Sequence, residues 1–179
     1  MPPRPRSVLE MHDLLDRPGA SRPLDLELEV PADVDLPLVE EVSPLRLKGV
    51  VEGVVDGILV RGALSADLTV ACARCLKPVA VVVSTDVAEL YSDPAQADDP
   101  TDVERGYELA DGQIDLDTLL RDALVPALPQ APLCRPDCQG LCATCGADRN
   151  VTDCDCADDT AGHRWAALEG LRLDGGGLN

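Results

Sequence analysis

Eight cysteines in 179 residues constrain this chain more than any other feature, because of how they are spaced. Cys72-Ala-Arg-Cys75 lies alone between two strand-like runs. The others crowd the C-terminal third as Cys134-x3-Cys138-x3-Cys142-x2-Cys145 and Cys154-x-Cys156. Two thiolates three residues apart at a tight hairpin tip form a zinc knuckle, in which backbone amides point at the sulfurs. Leu141-Cys142-Ala-Thr-Cys145-Gly146 is a second such signature. Its glycine suits the left-handed backbone that knuckles often need. Structural zinc takes four tetrahedral Cys or His ligands, so the cysteines suffice for one or two ions.

Spacing does not choose the grouping. The simplest zinc-ribbon arrangement joins Cys72 and Cys75 to Cys142 and Cys145, leaving Cys134, Cys138, Cys154 and Cys156 as a second set. The competing arrangement closes one site wholly within the tail. Disulfides would need an oxidising compartment. The Pro- and Arg-rich start, Met1 to Ser7, lacks the apolar stretch of a secretory signal, so the expected location is cytoplasmic. A thioredoxin-like pair would open a helix, whereas Cys75 leads through Leu76-Lys77-Pro78 into a Val-rich strand. Metal-free buried thiols remain an alternative for the first pair. Neither His12 nor His163 sits in a ligand or triad motif, and no carboxylate pair is singled out by spacing.

Charge narrows the classes of function. The chain carries 33 acids against 15 bases, a net −18. Phosphate binding needs clustered Lys and Arg, so non-specific nucleic-acid binding is disfavoured. Tyr91, Tyr107 and Trp165 are the only aromatics, too few for a base-stacking platform. No apolar run approaches the roughly 18 residues of a membrane span. The excess is uneven. Residues 86–122 carry 12 acids and 2 bases, whereas residues 61–85 carry one acid and three bases, Arg61, Arg74 and Lys77.

Hydrophobic periodicity predicts an α+β domain with a mostly antiparallel sheet, one main packing helix and a Cys-rich, zinc-binding tail. Three stretches are expected: an N-terminal short helix and linker over 1–23, a core over 24–133 and the tail over 134–179. Val8 to Asp16 reads as the short helix, with Leu9, Leu14 and Leu15 on one side. Alternation at Leu24, Leu26, Leu28 and Val30 predicts a half-buried strand. Leu45–Val55 and Ile58–Leu64 flank Asp56-Gly57, a hairpin signal. Leu68–Cys72 and Pro78–Leu90 add two strands, about five in all. Residues 92–113 form an acidic loop with seven acids. Ile114–Leu128 reads as a helix, capped by Asp115 or Asp117 and interrupted late by Pro126. A last short helix is expected over Gly162–Leu173.

Taken in order, these elements resemble a family. The Cys72-Ala-Arg-Cys75-Leu knuckle, Ile114-Asp115-Leu116 opening an apolar helix, and Ala127-Leu-Pro129 before Pro132-Leu-Cys134 come first. Cys138-Gln-Gly-Leu-Cys142-Ala-Thr-Cys145-Gly146-Ala-Asp-Arg-Asn150 and Cys154-Asp-Cys156 complete the pattern. It resembles the bacterial YceD family, the large ribosomal RNA subunit accumulation proteins, in its Cys-rich Gram-positive and actinobacterial form. Ala143 departs from the Pro common at that place. The resemblance implies a cytoplasmic, non-catalytic factor for 23S rRNA accumulation and large-subunit assembly, and brings no catalytic residues.

Two modes of action follow. An acidic chain attracts basic protein, so a basic large-subunit ribosomal protein is the first expected partner, docking on Asp93–Asp122. The alternative is direct binding or processing of the 23S rRNA precursor through Arg61, Arg74 and Lys77 beside the first knuckle, with Arg135 and Arg149 from the second. Neither a membrane nor a small-molecule substrate is expected.

Overall fold

A computed structural model describes residues 7–34, 36, 38–92 and 107–156. Most of the acidic loop, including Asp93, Asp98, Asp99, Asp102 and Glu104, lies outside them. So do His163 and the helix expected over Gly162–Leu173. The chain divides into two compact units, Met1–Cys138 and Gln139–Asn179.

The first unit is built on a sheet. Its elements are β1 (Val8–Glu10), β2 (Ser21–Leu28), β3 (Val39–Val42), β4 (Leu45–Val54), β5 (Gly57–Ala71), β6 (Pro78–Ser92), β7 (Tyr107–Glu108), β8 (Gln113–Asp115) and α1 (Leu116–Ala127). The main sheet runs β2-β4-β5-β6-β7, with β3 also on β5. All these pairings are antiparallel except β6 with β7. Mainly sheet with one helix among the described residues, the unit matches the mostly antiparallel part of the expectation.

Long β5 organises the unit. Residues predicted as two strands form one, because Leu64, Ala66 and Leu68 keep a period of two straight through. Residues 57–65 of β5 pair with β4, and residues 68–70 pair with β3. Pro44 lacks the donor a continuous ladder would need. The Ser43 N–H instead donates to the Asp67 carbonyl at 2.9 Å, and the Asp67 N–H donates back to Ser43 Oγ at 3.0 Å. Strand β3 therefore continues into β4 along the same edge of β5.

The N-terminal helix expected at Val8–Asp16 is not formed. Val8–Glu10 is a strand paired with Gln113–Asp115, followed by turns that bury Met11 and Leu14. The apolar positions Leu9, Leu14 and Leu15 that suggested a helix face are shared between a strand and the turns that follow it. Its partner lies more than 100 residues away, as the Gln113 side-chain bond to Glu10 records with a separation of 103.

Helix α1 begins where Asp115 caps it, Oδ1 accepting from the Asp117 N–H at 2.9 Å. Leu116, Leu119, Leu120 and Leu124 are its buried stripe. They pack against the inward residues of the sheet, among them Val83, Val87 and Tyr91. Each such leucine contributes roughly 1.5–3 kcal/mol by leaving water. Pro126 falls in the last turn, and the helix ends one residue later. This packing carries the chain from β8 back to the β5–β6 tip, which positions the site described next.

Candidate metal centres

At the β5–β6 tip the chain turns through Cys72-Ala-Arg-Cys75-Leu76-Lys77. The Cys72 N–H donates to the Lys77 carbonyl at 2.8 Å, and the Leu76 N–H donates to the Cys72 carbonyl at 3.0 Å. Leu76 adopts a left-handed φ of 60°. Beyond α1 the chain docks on this turn, the Ala73 N–H donating to the Pro132 carbonyl at 2.7 Å. That bond delivers Cys134 and Cys138. The Cys134 N–H points at Cys72 Sγ at 3.4 Å, and Arg74 Nη1 donates to the Cys138 carbonyl at 2.8 Å.

The outcome is one group, Cys72, Cys75, Cys134 and Cys138, with the sulfurs all within 4.8 Å of one another. Cys72 and Cys138 sulfurs are 3.9 Å apart, and those of Cys75 and Cys134 are 3.5 Å apart. A tetrahedral zinc with Zn–S bonds of ~2.3 Å separates its sulfurs by roughly 3.8 Å. A disulfide needs ~2.05 Å, and all eight cysteines are free. The group thus fits a four-thiolate metal ion. Cys72, Cys75 and Cys138 are buried, and Cys134 is exposed.

The second unit repeats the turn. The Cys142 N–H donates to the Ala147 carbonyl and the Gly146 N–H to the Cys142 carbonyl, both at 2.8 Å. Gly146 has a φ of 74°. Asp148 and Asn150 hold the following turn, the Asn150 N–H donating to Asp148 Oδ1 at 2.9 Å. Cys142, Cys145, Cys154 and Cys156 form the second group, again with sulfurs within 4.8 Å. Only Cys142 is buried here.

The electrostatics of the two groups match. Knuckle amides, led by that of Cys75, lower the Cys72 thiol to about 6 despite its burial. The Cys145 and Thr144 amides do the same for Cys142, also to about 6. Cys134, beside the Cys75 thiol, is pushed up to about 12, as is Cys156 beside Cys145. One thiolate per group is favoured by the backbone, while burial and neighbouring thiols oppose ionisation of Cys75 and Cys134 in the first group and of Cys154 and Cys156 in the second. A dication is the natural way to hold all four ionised.

The structure therefore corrects the zinc-ribbon grouping. Cys72 and Cys75 close on Cys134 and Cys138, and Cys142 and Cys145 on Cys154 and Cys156, so one site lies wholly within the tail. The competing arrangement is the one found. The deciding contact, Ala73 to Pro132, is tertiary and leaves no mark in cysteine spacing.

The basic residues fare differently. Arg74 and Lys77 are exposed in the first knuckle turn, but Arg74 already spans the site to Cys138. Arg61 lies ten residues before Ala71 on β5, roughly 30 Å from the knuckle at the usual strand rise, and pairs with Glu52. The three do not converge. Sequence reasoning missed the bridging role of Arg74 and the left-handed Leu76. The latter had a signal, since Leu76 follows its Cys-x-x-Cys as Gly146 follows the other.

The described residues thus define a sheet protein with one helix and two four-cysteine groups able to hold metal ions. Residues 60–172, which include both groups and α1, match the family model "Large ribosomal RNA subunit accumulation protein YceD". The chain belongs to the YceD family. An uncharacterized Mycobacterium tuberculosis protein is 39% identical over 133 residues, covering 73% of this chain and 64% of that protein. One from Mycobacterium leprae is 36% identical over 144 residues, 78% of this chain and 65% of its own. The chain thus spans slightly under two thirds of these relatives. A maize protein named large ribosomal RNA subunit accumulation protein YCED homolog 1, chloroplastic, is 39% identical over 51 residues, 28% of this chain and 17% of its own. No solved structure matches. Among the described residues, no helix is long and apolar enough to cross a membrane.

Proposed function

We propose that this chain is a cytoplasmic ribosome biogenesis factor that supports 23S rRNA accumulation and large-subunit assembly by binding rather than catalysis. Membership of a family named for large-subunit RNA accumulation is the observation that carries this reading. Its partner is a basic ribosomal protein of the large subunit. A net charge of −18 attracts such proteins and repels phosphate. The internal engagements of Arg61 and Arg74 weigh against a preformed RNA surface. Each four-cysteine group holds one structural zinc ion. Four thiolates leave no coordination position for a reacting water, so the metal stabilises the turns and performs no chemistry.

Purification of the tagged chain from a lysate of its native host at low salt tests the reading. Basic large-subunit proteins should co-purify and be lost as salt rises. Converting Asp98, Asp99, Asp102 and Glu104 to their amides should weaken that capture. Retention of precursor rRNA alone, insensitive to those changes, would favour the RNA reading instead. Depleting the protein should lower 23S rRNA relative to 16S rRNA.

A further inference from the structure

Among the described residues, the long strand β6 is left largely unpaired on one side. Residues 78–92 pair with β5 throughout, in unbroken register from Ala71↔Pro78 to Gly57↔Ser92. On the other side, β7 covers only Tyr91 and Ser92. The Ser92 carbonyl accepts from the Leu109 N–H at 2.9 Å, so the backbone of Ser92 faces that side. In an antiparallel ladder, successive residues aim their N–H and C=O to opposite edges. Leu90, Ala88, Asp86, Ser84, Val82 and Ala80 therefore present theirs as Ser92 does. Among the described residues no strand pairs with Ala88, Asp86, Ser84, Val82 or Ala80 on that side, whereas Leu90 adjoins the pairing with β7. All but partly buried Leu90 are exposed, Val82 at 73%.

Natural sheets protect such edges with lysines, prolines, bulges or short strands. Here the edge is long and regular, with Pro78 only at its start. It contains Val79-Ala-Val-Val-Val83 and no lysine or arginine. This is a strand built to be paired. Its charge chooses the partner. Asp86 and Glu89 lie on β6 itself, Glu108 on β7 and Asp122 on α1, and residues 86–122 carry 12 acids to 2 bases. A second copy of this chain would bring the same negative charge to the edge. A basic segment would neutralise it.

We propose that the edge of β6, residues 80–88, takes up an extended segment of a basic protein as an added strand. Main-chain bonds would supply affinity, and the flanking carboxylates would select cationic side chains. The proposal rests on the reading of the chain as a binder of basic protein and names where that partner sits.

The test uses the full chain and two synthetic peptides of alternating lysine and valine. One is plain. The other carries methyl groups on successive central backbone nitrogens, so neither of its edges can donate. The plain peptide should bind in a salt-dependent way, and the methylated one roughly tenfold more weakly or worse. Ser84→Pro should cause a similar loss, because Ser84 donates nothing to β5 and proline there leaves the ladder intact. Equal binding of both peptides would overturn the edge proposal while leaving the basic-partner reading standing. Binding of neither would also overturn it, and the lysate capture judges the broader reading separately. A concentration-dependent dimer abolished by Ser84→Pro would show a second copy as the occupant and contradict the proposal. If Ser84→Pro fails to fold, the peptide pair on the unaltered chain still decides.

Discussion

Leu76 and Gly146 hold the same place in two copies of one turn. Each follows the second cysteine of a Cys-x-x-Cys, each donates its N–H to the carbonyl of the first, and their φ values are 60° and 74°. Glycine enters this region freely, whereas a leucine pays roughly 1–2 kcal/mol. Leu76 is 57% exposed and has little burial to lose. Leu76→Gly should therefore stabilise the first unit by up to about 1 kcal/mol. A Cβ at Gly146 would meet nothing within 4 Å, so Gly146→Ala should cost about 1 kcal/mol through backbone strain alone. Urea unfolding of the zinc-loaded variants measures both, and a destabilised Leu76→Gly would contradict the equivalence of the turns.

The two groups differ in burial, so their metal should leave in two phases. Three of four cysteines are buried in the first group and one in the second. Adding a chelator with a colorimetric zinc indicator should release one ion quickly, from Cys142, Cys145, Cys154 and Cys156, and one slowly. Arg74→Ala removes the bond from its side chain to the Cys138 carbonyl. It should quicken the slow phase only. A single phase for both ions would count against the assignment.

Gly49 and Gly62 face each other across β4 and β5. A Cβ on Gly49 would lie 2.0 Å from the Arg61 carbonyl oxygen, and one on Gly62 would lie 2.2 Å from that of Lys48. Backbone cannot step aside as a side chain can. Gly49→Ala or Gly62→Ala should cost about 3 kcal/mol or more, at the upper end of overpacking effects. Thermal unfolding measures it, and a shift within a degree or two would show that the strands can part.

Alkali should unfold the sheet through its tyrosines. Burial raises Tyr91, whose hydroxyl donates to the Asp115 carbonyl at 2.9 Å, well above the usual 10. Burial and the bond to Asp122 raise Tyr107 as well. The folded state therefore holds protons that the unfolded state releases. Stability from this source is complete below about pH 10 and is lost as pH rises beyond it. Absorbance at 295 nm should stay flat in the folded protein through pH 10 and rise only with loss of structure. An ordinary titration near pH 10 without unfolding would contradict the burial.

Legibility of the chain in its sequence followed the range of the interactions. Alternation marked β2 and the Asp56-Gly57 hairpin, and Asp115 with its leucine stripe marked α1, because those signals are local. Strand β1 read as a helix because its pairing partner Ile114 is remote. Strand β3 was hidden between prolines in a short and irregular pairing. The cysteines announced two knuckles plainly. Their grouping was not legible, since it depends on α1 returning Cys134 and Cys138 to the β5–β6 tip. That β6 is unpaired on one side among the described residues is likewise a matter of topology, invisible in a Val-rich run.

Native mass spectrometry of the full chain, with zinc counted before and after Cys142→Ala/Cys145→Ala, tests the central claim most directly. Two independent four-cysteine sites predict two zinc ions in the unaltered chain and one in the variant, held by Cys72, Cys75, Cys134 and Cys138. Loss of all zinc on that double change, or no zinc in the unaltered chain, would contradict the account.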